Sequence, residues 1–352
     1  MFINNINLAN YMRKLHITLL IIMLGILVWQ VYDLSGGITG AAVLSENTTN
    51  LLTGDVVTEE PITEEPKQIL TLEPIINETI TIRECEDKTP LETCSKQKPK
   101  YCKNGTLVRA EWQCGCSESC GNERTLKYVL RGKEGFLKIN VDKTIKETLQ
   151  NKSRLYYDTT IPPYDKAFEL KFINEPEQKE TLQEILAQIK QATTDKFDRV
   201  RIAISITQNI PYDYEGAANG KLNNKFPYEV LYDMNGVCGE KTRLLAYLLK
   251  ELGMGVAMIR YDEQNHQAVG ILCPLQYSLE NSGYCFVETT KPAIATDNTQ
   301  DYAGYGKLTI PRYIPISDGV TFSGIREEYN DAQKFIESKH TDSELKSKYG
   351  IN

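Results

Sequence analysis

Nine cysteines divide this 352-residue chain more sharply than any other residue type. Cys85, Cys94, Cys102, Cys114, Cys116 and Cys120 crowd together, Cys273 and Cys285 form a later pair, and Cys238 stands apart. An even set in a short exported segment with no evident hydrophobic core reads as a small module stapled by three disulfides. Spacing does not fix which pairing forms. Zinc is the competing use, through Cys114, Cys116 and Cys120, but such sites usually carry paired Cys-x-x-Cys knuckles or histidines, which this segment lacks. Cys273 and Cys285 border two apolar runs, 267–272 and 284–287, and adjacent strands there would bring the two within bridging range. The leftover thiol, Cys238, is the one to suspect of reactivity.

Export is expected from the N-terminus. Residues 17–32 are uncharged and apolar, preceded by Arg13, Lys14 and His16 and followed by Asp33. Basic residues on that side keep the N-terminus (1–16) in the cytoplasm and send the rest across. Residues 17–34 therefore read as a single-pass anchor, with Trp29 and Tyr32 at an interface; a cleaved signal peptide is the alternative, which would leave a secreted protein. The formal net charge is −7, and residues 45–80, rich in Thr, Glu and Pro, hold enough acid to account for it. Such composition cannot bury the apolar surface that ordering requires, so 35–80 reads as a disordered stalk. The remainder is balanced, which excludes a surface built for nucleic acid. Sequons at Asn47, Asn77, Asn104 and Asn151 all precede the candidate catalytic region and are glycosylation candidates in an exported protein.

From Thr125 the chain alternates as a hairpin, with its turn within Arg131 to Gly135. Residues 177–191 and 195–208 place apolar side chains at helical spacing, and Pro211 ends the second helix. Residues 226–231 read as a loop. After Cys238, Leu244, Leu245, Leu248, Leu249 and Leu252 share one helical face and Gly253 stops the helix. Cys238 thus opens a helix, where the partial positive charge favours the thiolate that nucleophilic chemistry needs. Residues 256–261, 267–272 and 284–288 read as three strands. His266 opens the second and Glu288 closes the third, so antiparallel neighbours put imidazole and carboxylate side by side. The other histidines, His16 and His340, fall beside the apolar segment and in the charged tail.

The stretch Phe226-Pro227-Tyr228-Glu229, Gly236-Val237-Cys238-Gly239-Glu240, Leu252-Gly253, Asn265-His266-Gln267-Ala268-Val269-Gly270 and Phe286-Val287-Glu288-Thr289-Thr290 resembles the transglutaminase-like superfamily, in particular its membrane-tethered prokaryotic members of archaeal type. The likeness runs over about 125–322 and is specific over 208–290. It implies an α+β, papain-like core in which a helix bearing Cys packs on an antiparallel sheet bearing His and the acid. It also marks Gln208 as the candidate oxyanion-hole side chain beside catalytic Cys238, His266 and Glu288. The chain departs from the usual pattern at three places: Glu288 stands where many members have Asp, Gln267 where an aromatic often follows the His, and Gly239 where an acid is common.

The expected plan is a cytoplasmic N-terminus (1–16), an anchor or signal peptide (17–34), a stalk (35–80), a cysteine-rich module (81–124), a transglutaminase-like domain (125–325) and a charged helical tail (326–352), most simply a solvated helix. The expected function is extracytoplasmic acyl transfer on amide bonds of proteins or peptides, with a thioester passed to water or to an amine and no cofactor or metal. The alternative is a non-catalytic surface binding module that uses the core as a scaffold.

Overall fold

The computed structural model describes residues 84–116, 120–154, 164–218, 224–299 and 306–351. The expected cytoplasmic N-terminus, anchor and stalk, with Asn47 and Asn77, lie outside them. Among the described residues no helix is long and apolar enough to cross a membrane.

The fold is mixed α+β, with antiparallel sheets and four disulfides. The pairs are Cys85–Cys102, Cys94–Cys114, Cys116–Cys120 and Cys273–Cys285, leaving Cys238 as the free thiol. Disulfides therefore take the sulfurs that the zinc reading needed. The cysteine-rich segment is a hairpin, β1 (Lys100–Lys103) and β2 (Thr106–Arg109), followed by the single turn α1 (Glu111–Cys114). Contrary to the expectation of no core, Tyr101, Ala110 and Cys114 cluster with Val108 and Trp112. The segment also docks on the rest: the Cys116 N–H donates to Asp233 O at 2.9 Å. Asn104, in its turn, is exposed, as is Asn151 further on.

Strands β3 (Glu123–Leu130) and β4 (Lys133–Asn140) form the second hairpin. Its turn is tighter than the sequence indicated, only Arg131 and Gly132, both at positive φ, which matches the twist of the strands. Gly135 instead lies beneath Tyr128, where a Cβ would stand 2.2 Å from the ring. Three helices follow that lead to the core: α2 (Lys143–Gln150), α3 (Tyr164–Ile173) and α4 (Lys179–Ala192). Helix α5 (Lys196–Asn209) is capped by Asp195, whose carboxylate accepts from the Phe197 and Asp198 N–H groups. Leu182, Ile185, Leu186 and Ile189 of α4 and Val200 and Ile204 of α5 enter the main core, as their spacing predicts.

After the short α6 (Tyr214–Ala218), residues 227–233 are a helix, α7 (Pro227–Asp233), and not the expected loop. Pro227 occupies the first turn, where its missing N–H costs nothing, and the Glu229 carboxylate accepts the Phe226 N–H at 2.8 Å. Helix α8 (Cys238–Glu251) starts at the cysteine as expected and packs on a four-stranded antiparallel sheet of order β7-β6-β5-β8. These strands are β5 (Val256–Tyr261), β6 (His266–Leu272), β7 (Tyr284–Val287) and β8 (Arg312–Ser317). Cys273 and Cys285 close the β6–β7 hairpin, where Leu272 pairs with Tyr284.

The C-terminal helices α9 (Arg326–Glu337) and α10 (Ser343–Tyr349) correct the solvated-tail expectation. Ala332, Phe335 and Leu345 pack on Ile294, and Ala332 is wholly buried. Charged contacts lock them down: Arg201 pairs with Glu328, Lys348 with Asp331, and the Gly132 N–H donates to Lys348 O.

Candidate active site

Cys238 is the first residue of α8, so its N–H has no intrahelical carbonyl to bond. The start of the helix is fixed by Glu240, whose carboxylate accepts the Val237 N–H at 3.0 Å and the Lys225 N–H at 2.9 Å. This buried acid at the third helical position closes the turn from below and favours its positive end. The Cys238 sulfur lies 4.0 Å from Asn265 O, in the reversal that leads into β6. Asn265 adopts φ 47°, a conformation asparagine tolerates better than most residues, and His266 then pairs with Tyr261 across the sheet.

The β6–β7 register pairs Val269 with Val287. One step further sets Glu288 opposite Ala268, which makes His266 its diagonal neighbour. Side chains then meet: His266 Nε2 stands 3.0 Å from Glu288 Oε2, both side chains fully buried. The second carboxylate oxygen accepts the Thr289 N–H at 2.9 Å, the Thr290 N–H at 2.7 Å and the Thr290 hydroxyl at 2.7 Å. Burial alone would raise this carboxyl's pKa, but His266 and Thr290 hold it below the ordinary range. Burial likewise opposes a charged imidazole, yet hydrogen bonds to Cys238 and Glu288, with their charges, push His266 up to about 10. With Nε2 given to Glu288, Nδ1 is the ring nitrogen left over for the thiol. Cys238, at 8% exposure, is the member of the three that solvent reaches.

Gln208 lies in the same place but does a different job from the one the resemblance implies. Its Nε2 donates to Glu288 O and Ala293 O, both at 3.0 Å, so both hydrogens are spent on the main chain around the acid. In this arrangement Gln208 braces Glu288 and has no donor left for an oxyanion.

Two of the departures from the family pattern touch each other. A Cβ on Gly239 would stand 2.9 Å from Gln267 Oε1, and Gln267 is held by donating to Glu169 Oε1 (3.2 Å) and Met258 Sδ (3.0 Å). The amide thus occupies the room that a side chain after the cysteine would need.

Sequence reading missed Lys241. It is wholly buried, and its ammonium donates to the carbonyls of Ile210, Thr290 (3.0 Å) and Gln208 (3.5 Å). Burial drags its pKa down to about 7, with Glu288 and Cys238 pulling upward. The available signal was its position: three residues after Cys238 on the apolar side of a helix, where a lysine has no ordinary business. His340, by contrast, pairs with Asp297 at 3.0 Å, outside the site.

An open groove of about 590 Å³ reaches Gln208 and Thr290, while Cys238, His266 and Glu288 do not line it. Trp112 and Gln113 of the cysteine-rich module form part of one wall, while Tyr212, Tyr214, Asn235 and Thr290 border the other parts. No family model matches the chain, and no curated protein matches it.

Proposed function

We propose that the chain is a cysteine-nucleophile acyl-transfer enzyme of transglutaminase-like type, with a papain-like core, acting on amide bonds of proteins or peptides. The observation that carries this reading is the buried His266–Glu288 contact beside the one free thiol, at the start of a helix. The Cys238 thiolate attacks the amide carbonyl, and its own N–H steadies the oxyanion. As the C–N bond breaks, the imidazolium of His266 gives its proton to the departing amine, and a thioester remains. Glu288 holds the ring and its charge throughout. Neutral His266 then takes a proton from water as it adds to the thioester, releasing the acid and restoring the thiolate. An amine in place of water gives a cross-link; hydrolysis is the reading preferred, since water is always present.

In this reading an extended polypeptide would lie along the groove that ends at Gln208 and Thr290, with Trp112 and Tyr212 offering aromatic faces to its side chains. Four disulfides suit an oxidising compartment, which agrees with residues 17–34 as an anchor and 35–80 as a stalk that holds the enzyme off the outer membrane face.

Hydroxylamine tests the chemistry, because it intercepts thioesters as hydroxamates. Peptide mixtures incubated with the full chain are expected to yield hydroxamate, and C238A none. Hydroxamate from C238A at the wild-type level, or none from wild type with surface proteins still bound, contradicts the proposal; the latter is the behaviour of a binding module.

A further inference from the structure

Charge in the buried site does not balance on the three residues alone. A thiolate at Cys238 and a carboxylate at Glu288 face one imidazolium, which leaves one negative charge uncompensated in a site where His266 and Glu288 are fully buried. Isolated buried charge is expensive, and the usual outcome is that a proton neutralises it. That outcome would remove either the nucleophile or the carboxylate that orients the ring.

We infer that Lys241 is a positioning residue whose ammonium is the fourth charged member of this site, making it neutral overall and keeping Cys238 and Glu288 ionised together. The proposal rests on the acyl-transfer reading. Geometry supports it in two ways. An ammonium has three N–H donors and no acceptor, and Lys241 meets three main-chain carbonyls: Gln208, Ile210 and Thr290. A neutral amine would turn its lone pair on one of them. Those carbonyls also come from both sides of the site, the C-terminal end of α5 and the residues just after Glu288, so the same side chain ties the acid's segment to the helix that carries Gln208.

The charged groups around it are few. Cys238 and Glu240 share its helix, and Glu240 is turned away to the Val237 and Lys225 amides. Glu288 faces it from the end of β7, with His266 behind on β6. Among the described residues, α5 and its capping residue Ile210 offer Lys241 only the carbonyls of Gln208 and Ile210.

The test is the rate of alkylation of Cys238 by iodoacetamide in the unreduced full chain, against pH, for wild type, K241M and K241R. Wild type is expected to react fast at pH 6. K241M is expected to be about tenfold slower there and to recover at higher pH, a profile moved up by about one unit, while K241R keeps the wild-type profile. A structural loss alone would lower rates at every pH without moving the profile. Wild type that is slow at pH 6 overturns the acyl-transfer reading and this inference with it; fast wild type with an unmoved K241M profile overturns the inference alone. Should K241M fail to fold, nitrogen-15 spectra of lysine-labelled wild type decide. A protonated Lys241 signal at pH 6, assigned by its loss in K241R, supports the proposal, and a neutral amine there overturns it.

Discussion

His266 is held charged by its neighbours, and that has a consequence for stability as well as for reaction. A group whose folded pKa lies above its unfolded value stabilises the fold fully below the unfolded value, near 6.5, and loses that contribution as pH rises toward about 10. Lys241, whose folded pKa is lowered to about 7, contributes with the opposite sign over much of that window, so the His266 contribution is read by difference: the thermal midpoint should change with pH more positively in H266Q than in wild type between those limits. E288Q removes a partner that raises the ring's pKa, so the alkaline loss of activity should begin at lower pH than in wild type. Gly239 is constrained from outside: G239A crowds an amide held by Glu169 and Met258 and should destabilise by about 1 kcal/mol, read as a lower denaturant midpoint. At this scale Cys238, His266 and Glu288 were legible because each stands at the boundary of a strongly patterned run. Lys241 and the real engagement of Gln208 were not, since both depend on main-chain carbonyls that only tertiary structure brings near.

Elements were legible where one face is apolar and the other is not. Helices α4, α5 and α8 and strands β5, β6 and β7 follow their periodicity closely. Helix α7 escaped because it is short and opens on proline, and its helical signal is Glu229 reaching back to the Phe226 amide. Strand β8 escaped because Pro315 interrupts it; the residue is tolerated because β8 is an edge strand, paired with β5 alone. Helix α3 hides its pattern by burying Glu169 against Arg243 at 2.6 Å, with that guanidinium over the Phe172 ring. The β6–β7 hairpin carries the acid end of the site, and the Cys273–Cys285 bridge closes it over a separation of 12 residues. Replacing both cysteines by alanine should cost about 3 kcal/mol of stability while leaving Cys238 reactive, as denaturant titration and alkylation would report.

In the whole molecule, segments that composition separates prove to share one body. The cysteine-rich hairpin leans on α7 through Cys116 and Asp233, and the charged tail covers Ile294 and locks to α5 through Arg201 and Glu328. Charge density in a tail says little about burial when its buried acids, Glu328 and Asp331, have fixed partners in Arg201 and Lys348, and that is why 326–352 misled the reading. Removal of those residues should expose Ile294 and lower the unfolding temperature. The central claim is that Cys238 is a nucleophile sustained by His266, and the most direct test is its alkylation rate in the unreduced full chain across pH, compared with H266A. Fast labelling near pH 6 that H266A abolishes is the result expected. Labelling that rises only near pH 8.5, as for an ordinary thiol, and is unchanged in H266A would contradict it.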